Sequence, residues 1–309
     1  MMKFVKSIPM ALCGVSLGLA ALGNLMAQNS QPALRMACGI LSALVLLAFL
    51  LKVLLHFPHA GAELKTPIPL SVLPTSTMAL MLLSVYVKDY IHSGIAPVLW
   101  YAALALHIGI MLLFVKRFIL GFKLGAVFPS WFITFVGIVA ASVSAPAMNA
   151  RLLGQIIFYI GFALYFIALV LVVWRMVKVK LFPEPARPTI AIFTAPMSLC
   201  IVGYFQSFAP EQRNPLLIYL MLGIGLASYL YVLVMMIPLL RIKFYPTYAA
   251  FTFPFVISAL AFRAGNGFLT AQGYGFFAPV MYASFWIALA FMVFVIIHYL
   301  RYFVFWLKF

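Results

Sequence analysis

Two stretches of the sequence, Pro188-Thr-Ile-Ala-Ile-Phe-Thr-Ala-Pro196 and Pro246-Thr-Tyr-Ala-Ala-Phe-Thr-Phe-Pro254, share the pattern P-T-x-A-x-F-T-x-P. Prolines recur along the chain at steps of 60, 60, 59 and 58 residues, at Pro9, Pro69, Pro129, Pro188 and Pro246. A constant period of this length indicates a repeated supersecondary unit. Proline is common at the first turn of any membrane helix, but that preference explains single prolines and not their spacing. We therefore predict that the chain repeats a unit of about 60 residues five times.

The composition around these stretches is that of a membrane protein. Hydrophobic residues make up 67% of the chain and charged residues 8%, whereas a soluble domain carries roughly 25% charged residues. So few charges cannot cover a water-facing surface, so lipid must surround most of the chain. The 20 Lys and Arg residues outnumber the 4 Asp and Glu residues. Because the basic residues stand between apolar runs, they indicate membrane topology, and we do not expect nucleic acid as a partner.

Charged residues divide the chain into ten uncharged stretches, most of which reach the roughly 20 residues needed to cross a bilayer. The last stretch opens with a Gly-rich segment, 264–275, which we expect to be a loop before a helix that begins near Phe276. Of the 20 Lys and Arg residues, 15 including Lys308 fall on one side of the predicted membrane and 5 on the other. The positive-inside rule places the 15 and both termini in the cytoplasm. The sequence thus predicts an all-α integral membrane protein, a single domain over residues 1–309 with ten transmembrane helices in five tandem hairpins.

Odd-numbered and even-numbered helices differ in composition. The even ones are mostly continuous Leu, Val, Ile, Phe and Met, whereas the odd ones contain helix breakers and small polar residues. A mid-helix proline frees a backbone carbonyl, which protein or a watery cavity must satisfy. We expect the odd helices to surround a central pore and the even ones to face lipid, although tight packing alone would call for the same residues. The pore-lining candidates are Gly14, Ser16, Gly18, Pro74, Thr75, Thr77, Thr134, Thr194, Pro196, Ser198, Thr252, Pro254 and Ser258.

Acidic residues are absent from the predicted spans, since all four lie in connections. Cation pathways and proton relays usually depend on intramembrane carboxylates, so this absence argues against a cation channel, a proton-coupled carrier and a metal transporter. The 3 cysteines lie in apolar runs without a neighbouring His cluster. We therefore expect no metal site and no cofactor. No hydrolase, metalloprotease or phosphate-loop motif occurs, so we do not expect an enzyme.

Each predicted outer connection carries one basic residue, and the five are Arg35, Lys88, Arg151, Arg213 and Arg263. If the hairpins surround an axis, these side chains form a partial ring of positive potential that attracts anions to the outer mouth. Asp89 and Glu211 offset part of that charge. Any one of the five could equally be an ordinary anchor at the membrane surface.

Ten spans in five hairpins, with kinked inner helices, resemble the tellurite-resistance/dicarboxylate transporter (TDT) family, which includes bacterial TehA and the plant guard-cell slow anion channels. Gly14-Val-Ser-Leu-Gly-Leu-Ala-Ala-Leu22 looks like the family's first-helix pattern G-x-x-L-G-L-A-A-L. Phe251-Thr-Phe-Pro254 resembles the ninth-helix segment that holds the family's gating phenylalanine. The resemblance implies a homotrimer in the bacterial inner membrane, with one anion pore in each protomer. It also implies a phenylalanine plug, best matched by Phe253 and otherwise by Phe251.

The resulting hypothesis is a channel for small monovalent inorganic anions such as chloride and nitrate, with membrane lipid as the other partner. The predicted odd helices have no Lys or Arg near their middles, which disfavours tight binding of a dicarboxylate dianion. Two alternatives stay open. One is a secondary carrier for dicarboxylate, sulfite or tellurite-related oxyanions, and the other is a membrane scaffold that transports nothing.

Overall fold

The computed structural model describes residues 2–180 and 182–307, with side chains for residues 5–180 and 182–305. Lys308, which counts toward the cytoplasmic side in the topology prediction, lies outside the described residues. Within them the α-helices are α1 (Met2–Ser7), α2 (Leu12–Ala27), α3 (Pro32–Leu55), α4 (Phe57–Glu63), α5 (Pro67–Val72), α6 (Pro74–Tyr90), α7 (Ile95–Phe114), α8 (Trp131–Val136), α9 (Val139–Ser144), α10 (Arg151–Val179), α11 (Ala195–Ser207), α12 (Pro215–Leu239), α13 (Phe253–Ala271) and α14 (Ala278–Leu307). A π-helical turn covers Val115–Ile119, and 3₁₀ segments cover Leu124–Ala126, Ala145–Met148, Glu184–Thr194, Pro210–Gln212 and Pro246–Phe251.

Several of these helices, alone or joined with an adjoining helical segment, are long and apolar enough to cross a membrane. By length and composition the described part of the chain has eight such helices, which are Pro32–Leu55, Pro67–Tyr90, Ile95–Ile119, Arg151–Val179, Glu184–Ser207, Pro215–Leu239, Pro246–Ala271 and Ala278–Phe305. Two shorter apolar helical segments, Leu12–Ala27 and Val139–Met148, fall in the first and fifth predicted spans. The chain is therefore a helical, multi-pass membrane protein, as the sequence predicts.

Burial alternates along the chain. In Pro67–Tyr90, Glu184–Ser207 and Pro246–Ala271, 72%, 89% and 83% of the most apolar window is buried. In the other five long helices the share is between 22% and 33%. The shorter helix α2 is buried along nearly its whole length. Leu, Val and Ile side chains cover the exposed faces of the outer helices, as a surface in contact with lipid requires.

The buried helices form a closed ring. Helix α2 contacts α6, α6 contacts α9, α9 contacts α11, α11 contacts α13, and α13 returns to α2. Each member of the ring also packs against the helix that follows it, which is α3, α7, α10, α12 or α14. The inner helices thus surround a common axis, and the less buried helices lie outside them.

Every inner segment is interrupted. Pro9 lies in the break between α1 and α2, Leu73 separates α5 from α6, and the pair 137–138 separates α8 from α9. The fourth and fifth inner segments change from 3₁₀ to α-helix at residues 194–195 and 251–253. At three of these breaks a proline, Pro74, Pro196 or Pro254, is the first or second residue of the helix that follows. Proline cannot donate the backbone hydrogen bond that would continue the preceding helical segment, and this explains the three interruptions.

The prediction of a loop over residues 264–275 is wrong for most of that segment. Helix α13 continues to Ala271, and the turn that follows is centred on Gly273, which has a φ of 86°. Gly265 serves close packing inside this helix, because a Cβ there would lie 2.4 Å from Cδ2 of Leu222. Small residues at membrane helix contacts let two helices approach closely, so a glycine in such a segment does not by itself indicate a loop. Arg263 consequently lies within α13, and the last helix begins at Ala278.

Candidate functional site

A cavity of about 50 Å³ lies at the level where the inner segments are interrupted. Every inner segment contributes to its wall, in chain order through Gly14, Thr75, Gly137, Pro196 and Phe253 among others. One water needs roughly 10–15 Å³ of such space, so the cavity has room for about four waters. That number is too small to keep a complete hydration shell around an ion.

The wall of the cavity is almost entirely apolar. None of its lining residues carries a charge, and its hydroxyl groups come from Thr75, Thr189 and Thr247. All three hydroxyls donate to backbone carbonyls, Thr75 to Val72 at 2.8 Å, Thr189 to Ala186 at 2.6 Å and Thr247 to Pro185 at 2.6 Å. Their hydrogen atoms are therefore not directed at a solute in the cavity. A narrow apolar passage of this kind can block ions by excluding water.

Phe253 forms part of this wall, and Phe251 does not. Phe253 stands between the distorted residue Thr252, with φ −93° and ψ −87°, and Pro254 at the start of α13. Its side chain is buried, and no contact with another aromatic ring involves it among the described residues. Phe251 instead packs on Tyr248 and Phe291, with ring centroids 4.9 Å and 6.1 Å away. Of the two predicted gate residues, only Phe253 lies at the cavity.

A second phenylalanine also reaches the cavity wall but is held differently. Phe132 lines the cavity from α8. Its ring packs against Tyr165 and Phe193, with centroids 5.9 Å and 5.4 Å away. Flanking rings restrict the torsions of Phe132, so it is less able than Phe253 to swing out of the passage.

The predicted lining residues divide into two groups. Gly14, Thr75, Pro196 and Pro254 lie on the cavity wall. The other nine are buried in contacts around it and are not among the wall residues, and they are Ser16, Gly18, Pro74, Thr77, Thr134, Thr194, Ser198, Thr252 and Ser258.

Hydroxyl groups of the second group link neighbouring helices. Ser198 and Ser258 share a hydrogen bond of 3.0 Å between α11 and α13, and their positions differ by 60 residues, which is one repeat. The Thr252 hydroxyl lies within hydrogen-bond distance of two carbonyl oxygens, 2.7 Å from Ala249 in its own segment and 3.1 Å from Gly14, and so links the fifth inner segment to the first. Ser16 donates to the carbonyl of Ser42 at 2.8 Å, between α2 and α3. These polar groups therefore hold the ring of helices together around the apolar cavity.

Sequence reasoning missed most of the apolar wall. Leu17, Met78, Val136, Ile192 and Leu199 line the cavity, and each is a common core residue with no distinguishing signal. A signal did exist for two other wall residues, because Thr189 and Thr247 directly follow the periodic prolines 188 and 246.

Three of the five predicted outer-mouth residues link neighbouring parts of the ring. The Arg35 guanidinium lies 2.6 Å from the Asp89 carboxylate, which joins the first hairpin to the second. Lys88 donates to the carbonyl of Ala147 in the third, and Arg263 donates to the Asn29 side chain of the first at 2.7 Å. The remaining two differ from these, because Arg213 donates to the Phe205 carbonyl of its own hairpin at 2.8 Å and Arg151 is exposed.

These features define a class of protein, a multi-pass membrane protein in which broken inner helices enclose a small apolar cavity. The family model described as voltage-dependent anion channel (SLAC1) matches residues 6–300. The match covers nearly the whole chain, so the protein belongs to this family, and the resemblance to the TDT family is confirmed. Family membership makes the protein an anion channel or transporter, a group whose members are not enzymes. A search of curated proteins finds no match.

Proposed function

We propose that the protein is a channel that passes small monovalent anions, such as chloride and nitrate, along the axis of the inner ring, and that the Phe253 ring is its gate. The observation that carries this proposal is the position of Phe253 on the wall of an apolar cavity at the level where all five inner segments break. Membership of the anion channel family supports the class of solute.

The proposed architecture is a single domain of ten transmembrane spans in five tandem hairpins, with the odd spans inside. Alternating burial and the closed ring of contacts support it. The bias of 15 basic residues against 5 supports cytoplasmic termini in a bacterial inner membrane. The homotrimer is proposed from the family resemblance, and a native mass of three chains in detergent would test it.

An aromatic ring suits a gate in this passage for physical reasons. Phenylalanine is apolar, fills a narrow bore and moves by two side-chain torsions. Three of the other wall residues, Ala195, Ala249 and Ala250, have small side chains. With the ring across the bore the passage is dewetted, and ions are blocked without any fixed charge.

The same apolar wall sets the expected selectivity. An anion that enters must lose most of its water, and no Lys or Arg on the wall compensates for that loss. Weakly hydrated monovalent anions are therefore favoured over strongly hydrated ones and over dicarboxylate dianions.

The decisive experiment compares Phe253→Ala with Phe251→Ala in planar bilayers. Both remove the same side chain two residues apart, but only Phe253 lies on the cavity wall. We expect low current from the wild type and from Phe251→Ala, and a current at least tenfold larger from Phe253→Ala with an anion-selective reversal potential. Thermal unfolding in detergent checks that both variants fold, because truncating a buried phenylalanine costs about 3–5 kcal/mol.

Other outcomes favour the two alternative functions. Saturable radiolabelled anion flux without unitary currents would replace the channel by a carrier for dicarboxylate, sulfite or tellurite-related oxyanions. If both variants fold but show neither flux nor current, the membrane scaffold is the remaining alternative. Equal current increases in the two variants would refute the specific role of Phe253.

A further inference from the structure

Five exposed basic residues stand on the segment that follows α7 and at the end of α10, and they are Lys116, Arg117, Lys123, Lys178 and Lys180. We call them the seam cluster. Lys116 and Arg117 stand on the π-helical turn Val115–Ile119 that extends α7, and such turns are frequent at functional sites. The sequence contains no acidic residue between Asp89 and Glu184, so no carboxylate of these segments offsets the charge.

An aromatic stack holds the two parts of the cluster together. The rings of Phe122 and Trp174 lie parallel, with an interplanar angle of 14° and centroids 6.2 Å apart. Lys123 follows Phe122 directly, and Lys178 lies one helical turn beyond Trp174 on the same face of α10. Arg117 fixes the π-helical turn by donating to the carbonyl of Leu64 at 2.9 Å. The cations are thus gathered by packing, although their positions in the sequence are more than 50 residues apart.

Large apolar side chains are exposed among these cations. Leu120 is 79% exposed, Val177 63% and Trp174 46%. Exposed apolar groups beside Lys and Arg, with a tryptophan at the boundary, form the pattern of a surface inserted between lipid headgroups and acyl chains. A site for a soluble anion would require the basic side chains but not the exposed apolar side chains beside them.

Two other exposed basic residues of the predicted cytoplasmic side lie near an acidic residue in the sequence or through a tyrosine. Lys65 follows Glu63 by two positions. Lys243 lies over the ring of Tyr245, whose hydroxyl donates to Glu184 at 2.9 Å. The seam cluster differs from these two sites because it gathers five basic residues, and Glu63, which precedes the Leu64 contacted by Arg117, is already paired with Lys52 at 2.6 Å.

We propose that the seam cluster is a binding site for an anionic phospholipid. The phosphate lies against the Lys and Arg side chains, and an acyl chain runs along Leu120 and Val177. A cluster of four to eight basic residues at the end of a membrane helix attracts anionic lipid at about 1 kcal/mol for each residue near the surface. The lipid site does not depend on anion conduction, so a failure of this proposal would not contradict the proposed gate, and the reverse also holds.

The test counts lipids bound to purified protein in detergent by native mass spectrometry, in titrations with phosphatidylglycerol and with phosphatidylcholine. The variant Lys116→Gln/Lys123→Gln/Lys178→Gln is expected to bind phosphatidylglycerol about 100-fold more weakly, since each cation contributes a factor of about five. Phosphatidylcholine binding should not change. The control Lys65→Gln/Arg241→Gln/Lys243→Gln removes the same charge from exposed positions elsewhere and should bind phosphatidylglycerol within about threefold of the wild type.

Three results would overturn the proposal. One is an equal loss of phosphatidylglycerol affinity in the control variant, which would show that only the net charge of the protein matters. Another is equal binding of the two lipids by the wild type. The third is displacement of phosphatidylglycerol by millimolar inorganic phosphate, which would make this a soluble-anion site. If the triple variant does not fold, Lys123→Gln alone is expected to weaken binding about fivefold, and an unchanged affinity would equally refute the site.

Discussion

Gly18 offers a sensitive test of the packing behind the proposed gate, Phe253. It lies on α2 against the residue that immediately precedes Phe253. A Cβ on Gly18 would lie 2.6 Å from Cβ and 2.7 Å from Oγ1 of Thr252, and 3.0 Å from Cε of Met292. These distances are too short for carbon and oxygen atoms, so Gly18→Ala must push Thr252 away from α2. The Thr252 hydroxyl would then lose its hydrogen bond to the Gly14 carbonyl, now 3.1 Å long.

The expected change in the free energy of unfolding of Gly18→Ala has three contributions. Overpacking a close contact costs about 1–3 kcal/mol, and loss of an interhelical hydrogen bond in a membrane costs about 0.6 kcal/mol. Replacing glycine by alanine in a helix returns about 1 kcal/mol. The net destabilisation is therefore about 0.6–2.6 kcal/mol. With an unfolding entropy of about 2.1 cal/mol/K per residue, the melting temperature should fall by about 1–4 °C.

Thermal unfolding in detergent, followed by tryptophan fluorescence, measures this change. The matched control is Gly223→Ala in α12, where a new Cβ meets no atom within 4 Å and only the helix-stabilising contribution remains. In planar bilayers Gly18→Ala should raise the anion current of the closed channel, because displacement of Thr252 carries Phe253 with it. A melting temperature equal to or above that of Gly223→Ala, together with unchanged current, would refute the inferred contact between α2 and the gate segment.

Two further predictions concern the permeating ion. Nitrate should pass more readily than chloride through Phe253→Ala in bi-ionic reversal-potential measurements, because dehydration on the apolar wall dominates selectivity; a chloride preference would contradict that reasoning. Arg151→Gln should lower single-channel conductance about twofold at 10 mM salt, since a unit charge about 10 Å from an ion in water is worth about 0.4 kcal/mol. At 1 M salt the Debye length is about 3 Å and the difference should vanish, so an equal loss at both salt concentrations would exclude an electrostatic origin.

The sequence predicts the helical membrane class well because several independent signals agree. The proline period, the scarcity of charges and the alternation of broken with continuous helices all indicate inner and outer layers. Burial in the structure follows the same alternation. The position of Phe253 could be predicted only through the family resemblance, since the chain has 30 phenylalanines and Phe251 stands two residues away.

The detailed role of the small polar residues could not be predicted, because an inner helix is buried on every side. A serine on such a helix can face the axis or a neighbouring helix, and both positions favour a small polar side chain. Ser198 and Ser258 face each other, whereas Thr75 lies on the wall of the cavity. Gly265 gave the same ambiguity for backbone structure, since a glycine permits either a loop or the close approach of Leu222.

The sequence leaves two roles open for the outer basic residues, attraction of anions and anchoring of helices, and one side chain can serve both. A hydrogen bond to a carbonyl or amide oxygen fixes a basic side chain in place without adding a counter-charge, and Lys88, Arg213 and Arg263 make such contacts with Ala147, Phe205 and Asn29. Only Arg35 has a carboxylate partner, Asp89, at 2.6 Å. The proposed anion path has no fixed charge on the wall of its cavity, so we expect attraction to act at its mouths, where Lys88 and Arg263 are anchored to neighbouring helices.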